Sequence, residues 1–341
     1  MLHVGSGSGT SRRNVGACRV ALAGVAAALL GWSGEPVRAQ GVPPPSCSVS
    51  PLDGSVVDCT GDLSSGVELN DGAGPFRSLN VFDLTADIAP PVSSGIVFTS
   101  DGNVTLNVDA GPFRIVTTAD DAIGVFGGSV TGNVSINSRA DITTFGDFAP
   151  GIAVIADSDA AVVSTGNITT TGDASDGIQV MSMFGTALAV SFGDISATGT
   201  WSAGIYASGD SDAIVMNFGS VIGGPCCAGV IMDAFGLNTL INFGTITAGL
   251  NDFAIDLLGA VDNVVENFGT VTGDVSLSDG FGPQGTFFNH AGAAGPSDHA
   301  AEVHDDGVQV AGRIDARRGG SGGGDVARGD GHGRPRETRD L

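Results

Sequence analysis

The chain has 341 residues, 55 of them Gly, with 15% charged residues and a mean hydropathy of +0.24. A disordered chain would pair low hydrophobicity with dense charge, and a helix bundle would lose about 1 kcal/mol at each helical Gly. There is no Lys, and 14 Arg face 37 acids for a net charge of −23, which excludes a nucleic-acid partner because such a partner needs a basic footprint.

At the start of the chain, Arg12, Arg13 and Arg19 precede the small and apolar run from Val20 to Leu30, and Val37-Arg38-Ala39 precedes Gln40. This pattern predicts a secretory signal peptide over residues 1–39, cleaved between Ala39 and Gln40. The apolar run is shorter than the roughly 20 residues a membrane-spanning helix needs. No other stretch could span as a helix, so no transmembrane segment is expected in the mature chain. Cleavage would remove four Arg and one Glu, taking the net charge from −23 to −26. Residues 40–65 then read as an N-terminal cap segment. In an oxidising compartment Cys47 and Cys59 are expected to bridge across it. Cys226 and Cys227 are adjacent in a turn, where a bridge between neighbours is strained, and read as two inert thiols.

Residues 66–290 form a repeat array. Gly precedes a β-branched run at Gly102, Gly132, Gly166, Gly193, Gly219, Gly244 and Gly269, at spacings of 30, 34, 27, 26, 25 and 25. A second step, Gly151-Ile152, Gly177-Ile178, Gly204-Ile205 and Gly229-Val230, recurs within each unit, and a third apolar run leads back to the next repeat. Three short strands per unit, with no helical period, predict the coil of a parallel β-helix. Seven to eight coils at ~4.8 Å would give a rod ~35–40 Å long. The Gly residues are expected where the chain turns through positive φ.

The late coils share the triplets Asn217-Phe218-Gly219, Asn242-Phe243-Gly244 and Asn267-Phe268-Gly269. Stacked coils bring equivalent side chains into ladders. Phe192, Phe218, Phe243 and Phe268 should therefore stack, and the three Asn should bond amide to amide. Rings buried in such a ladder would make Phe243→Ala cost ~3–5 kcal/mol.

The Asp/Gly/Thr/Ser-rich repeats, the paired Cys after a signal peptide and the phrases Asn242 to Thr247 and Asn267 to Gly273 resemble the passenger region of bacterial autotransporters. The resemblance spans roughly residues 40–290. It implies a right-handed parallel β-helix displayed outside a Gram-negative cell at the outer membrane, commonly as an adhesin-like stalk. The family ends in a β-barrel translocator of alternating strands, and no such pattern follows here. A separate or missing translocator is therefore expected, with the periplasm as the destination if none is supplied. From residue 290 on the chain differs abruptly from the repeats, with His290, His299, His304 and His332 and seven Arg between 313 and 339. The Gly/Arg-rich segment 291–341 reads as a disordered, low-complexity tail, out of frame with the repeats.

Candidate chemistry is sparse. Asp120-Asp121 could be an acid–base pair of a β-helix polysaccharide hydrolase, but solvated turn chemistry is the simpler reading. Asp157/Asp159 and Asp210/Asp212 have an Asp-x-Asp spacing able to offer two oxygens to calcium, against the six to eight that ion takes. Asp bonding its own backbone in a turn is the simpler reading. Arg328-Gly329-Asp330 matches a cell-attachment tripeptide by chance in a biased tail. No catalytic residue, cofactor or metal site is expected. The function expected is a secreted or surface-exposed scaffold or adhesin with an unknown surface ligand. The alternative is a polysaccharide hydrolase.

Overall fold

The computed structural model describes residues 46–249, 253–259, 261–277, 285–290, 292–294 and 309–311. The signal segment with its Ala39–Gln40 junction lies outside the described residues, as does nearly all of the tail, including Arg328-Gly329-Asp330.

Gly, Asp and Asn interrupt the β-branched runs every few residues, so no run grows into a long strand. Each stacks instead on its equivalent one coil away. Three sheets result, A with twelve strands, B with nine and C with seven. One full turn runs through Ala160–Ser164 in sheet A, Ile168–Thr170 in C and Ile178–Ser182 in B, then returns to A at Ala187–Ser191. Pairing between coils is parallel, and about nine turns of about 26 residues form a right-handed β-solenoid with no helix among the described residues. Nine coils at ~4.8 Å make a rod ~43 Å long. It exceeds the expected length because parallel stacking already begins with Val56–Gly61 on Ser78–Leu84. Before it, Cys47–Val49 runs antiparallel to Val56–Gly61, with Cys47 opposite Cys59 and the two joined by a disulfide.

Strand alternation supplies the core. Ile136, Val162 and Ala189 point inward from sheet A, Ile142, Ile168 and Ile195 from C, and Ile152, Ile178 and Ile205 from B. All are buried, each on its equivalent in the neighbouring coil. At ~25 cal/mol per Å² this apolar burial is the main stabilising term.

The recurring Gly have a different cause from the one expected. Gly151, Gly177, Gly204, Gly219, Gly244 and Gly269 are not among the positive-φ residues. Close approach requires them: a Cβ on Gly177 would collide with Cγ2 of Ile195, and one on Gly244 with the carbonyl oxygen of Gly219. Left-handed backbone falls instead on Asp121, Phe148, Ala174, Trp201 and Cys226, with φ between 52° and 66°. These occupy one corner in successive coils, tied by bonds such as Phe148 N–H to Asp173 O and Ala174 N–H to Thr200 O.

The abundant Asp also act between coils. Asp141 Oδ1 accepts from the N–H of Asn167 at 2.8 Å, Asn167 Oδ1 from Asp194 at 3.0 Å, and Asp194 Oδ1 from Ser220 at 2.8 Å. Each side chain satisfies a turn N–H that its own coil cannot reach. Part of the acidic composition is therefore a stacking device.

Candidate functional site

The outer face of sheet A carries the most distinctive chemistry, and alternation builds it. Taking Val104 as the first residue of its strand, the inward positions are Val104, Leu106 and Val108, so Asn107 and the following Asp109 face out. Register then defines two outer columns along the rod. One holds Asp58, Asn80, Asn107 and Asn137, followed by Val163, Val190, Met216 and Ile241. The other, two residues on, holds Phe82, Asp109, Arg139 and Thr165, then Phe192, Phe218, Phe243, Phe268 and His290.

In the early coils these columns line a groove of about 450 Å³, bounded by Asp58, Asn80, Phe82, Asn107, Asp109, Asn137 and Arg139. Its floor is an amide ladder. Asn80 Nδ2 donates to Asp58 Oδ1 at 2.8 Å, Asn107 Nδ2 to Asn80 Oδ1 at 2.9 Å, and Asn137 Nδ2 to Asn107 Oδ1 at 3.0 Å. Arg139 Nη1 lies 3.7 Å from Asp109 Oδ2 on the rim, with the side chains 73% and 54% exposed. So exposed a pair contributes little to stability.

In the late coils the same columns become an apolar ridge. The rings of Phe192, Phe218, Phe243 and Phe268 stack at centroid separations of 4.6, 4.9 and 4.9 Å, and His290 stacks on Phe268 at 3.8 Å. His290 Nε2 also lies 3.6 Å from Glu266 Oε2. The rings face each other, but they do so on the surface, 37–50% exposed. Burial of this ladder, the premise behind a 3–5 kcal/mol cost for Phe243→Ala, is therefore corrected. Asn and Phe are consecutive, so a strand can turn only one of them inward.

The inward one is Asn. Asn217 Nδ2 donates to Asn242 Oδ1 at 2.9 Å, Asn242 to Asn267 at 2.8 Å, and Asn267 to Asn289 at 2.7 Å. Each also donates to the carbonyl of the Gly two residues on, namely Gly219, Gly244 and Gly269. These amides are fully buried. Within this ladder, the leading carbonyl, Asn217 Oδ1, has no hydrogen-bond partner.

The other candidates are dispersed. Asp120 Oδ1 accepts from the N–H of Asp147 at 3.0 Å, whereas Asp121 occupies the left-handed corner. Asp159 Oδ1 accepts from Thr186 N–H at 3.0 Å and Asp212 Oδ1 from Leu237 N–H at 2.8 Å, across coils rather than within their own turn. No cluster of three metal-ligating side chains occurs among the described residues. Cys226 is a free thiol and Cys227 is disulfide-bonded, so the expected pair of thiols holds for Cys226 only, and the neighbours are not joined to each other. No helix among the described residues is long and apolar enough to cross a membrane. In the loop before Ile178–Ser182, burial pushes the Asp176 carboxyl up to about 7, although its Oδ1 accepts from Ala203 N–H at 2.7 Å.

Sequence reasoning missed the groove. Its one signal was Asn107 and Asn137 at the same offset after Gly102-Asn103 and Gly132-Asn133. The fold defines the class, a parallel β-solenoid. Comparison with protein-family models, curated proteins and solved structures gave no match to this chain.

Proposed function

We propose that the chain is an exported, non-enzymatic binding scaffold, an adhesin-like rod of the kind autotransporters display as passengers. The observation that carries this is the outer face of sheet A. There, side chains repeat at coil spacing in two chemically distinct stretches, a surface suited to an extended partner. The N-terminal segment supports export, and a separate translocator would place the rod on the cell surface.

The test is expression of the full chain in a Gram-negative host, with fractionation and N-terminal sequencing, followed by binding of the immobilised chain to intact cells. A chain beginning at Gln40 outside the cytoplasm, retained by cells, is the expected result. Cytoplasmic chain with Met1 intact would overturn export. Release of reducing ends from polysaccharides by the purified chain would replace the scaffold with the hydrolase.

A further inference from the structure

We infer that the groove over the early coils of sheet A is a binding site for a neutral oligosaccharide. The inference rests on the reading of the rod as a binding scaffold, and it names the ligand class. An Asn side chain offers two N–H donors and a carbonyl with two lone pairs. Within the ladder, Asn80 and Asn107 each spend one donor on the preceding coil and accept one bond from the next. Each keeps one N–H and one lone pair to spare, and Asn137 keeps its whole carbonyl, because Val163 follows it with no donor. The result is a row of paired donors and acceptors repeating every ~4.8 Å.

Sugar hydroxyls match this row because each both donates and accepts. Phe82 adds an apolar wall for the C–H face of a pyranose ring, and Asp109 and Arg139 continue the same column as a charged fork for further hydroxyls. The volume of about 450 Å³ lies within the range of small-molecule sites, roughly 300–1,000 Å³. The ligand must be neutral. A chain of net charge −23 repels uronates and sialylated glycans, and Asp58 and Asp109 repeat that sign locally. An extended peptide would pair with a sheet edge, whereas the groove lies across a sheet face.

The rod supplies its own controls. Val163 and Val190 occupy the Asn107 column in later coils, so Asn107→Val with Asn137→Val copies side chains the fold already accepts. The purified full chain would be titrated with glucose-, galactose- and mannose-based tetrasaccharides, with galacturonate and sialyllactose as charged probes. Saturable binding of a neutral probe is expected, weakened about tenfold or more in the double Val variant at an unchanged melting midpoint.

Three results would overturn the proposal: binding of charged probes only, binding unaltered in the double Val variant, or no binding to any probe. Unaltered glycan binding that disappears in Phe218→Ala would move the site to the aromatic ridge and leave the scaffold reading standing. So would cell binding with no glycan binding. Loss of both cell and glycan binding would remove the scaffold reading as well.

Discussion

Two of the amide ladders in sheet A lie on opposite faces. Between Asp58 and Asn137 the ladder faces solvent, and its amides are only partly engaged. From Asn217 to Asn289 the ladder faces the core, and each Asn from 217 to 267 uses Nδ2 for both the next amide and a backbone carbonyl. The residue type is the same, and what differs is the hydrogen bonding each environment demands. An interior amide costs several kcal/mol unless it is paired, so the buried ladder is nearly closed on itself. An exterior one can leave capacity for solvent or a ligand. Moving Asn by one position in a strand therefore separates a structural element from a binding surface.

The largest expected effect breaks that contrast at adjacent residues. Asn242→Leu removes the central buried amide and its bonds to Asn217 Nδ2 and Asn267 Oδ1, leaving the first with Gly219 O and the second with Gly269 N–H. It should cost ~3–5 kcal/mol. Phe243→Ala, one residue away on the outer face, should cost only ~1–2 kcal/mol, because its ring is already 45% exposed and loses mainly stacking. Denaturant titration of both variants checks the order. A costlier Phe243→Ala would mean that the ridge, and not the amide ladder, holds the late coils together.

Asp176, in the loop before Ile178–Ser182, sharpens the same contrast because it is a buried polar group that can ionise. Burial raises its pKa from 3.8 to about 7, so the fold favours the protonated form. That stabilising preference is fully present below pH 3.8 and is lost as pH rises through about 7. Asp176→Asn keeps the acceptor for Ala203 N–H and cannot ionise. It should raise stability by about 2–4 kcal/mol at pH 8 and leave it nearly unchanged at pH 3.5. Thermal melts at the two pH values measure this, and an equal shift at both would show that charge burial is not the cause.

The coil period, the three-strand unit and the parallel stacking were legible in the sequence. Gly and β-branched residues recur at spacings short enough to see, and no helical period competes. The facing of Phe218, Phe243 and Phe268 was not legible, because hydropathy points Phe inward while alternation allows only one of Asn-Phe to go there. The amide goes in because a ladder satisfies it. The Asp141–Asn167–Asp194 chain was also hidden, since each bond joins residues about one coil apart and no local turn rule contains it. The groove was hidden for a related reason. Its Asn lie in coils of irregular length, Gly-Asn-Val precedes only Asn107 and Asn137, and register alone aligns these with Asn80 and Asp58.

The smallest effect expected is a gain, at the point where the buried ladder begins. Asn217 stacks on Ser191, and the local sequences Ser191-Phe192-Gly193 and Asn217-Phe218-Gly219 differ only in their first residue. The one hydroxyl proton of Ser191 goes to Gly193 O at 3.0 Å, which leaves none for the buried Asn217 Oδ1. Ser191→Asn would bring two amide protons. One can bond Gly193 O and the other Asn217 Oδ1, as Asn217 itself does with Gly219 O and Asn242 Oδ1. The new carbonyl would then face Ser164, whose hydroxyl makes only a 3.5 Å contact with Gly166 O and can turn to donate. Small neighbours, Ala187 and Ala189 in the same strand, limit crowding around the larger side chain. A stabilisation of about 1 kcal/mol is expected, read as a higher denaturant midpoint at unchanged slope. A lower midpoint would mean that the core at this coil is too tight for an amide. The ladder then starts at Asn217 because of space, and the unpaired carbonyl is the cost of starting there.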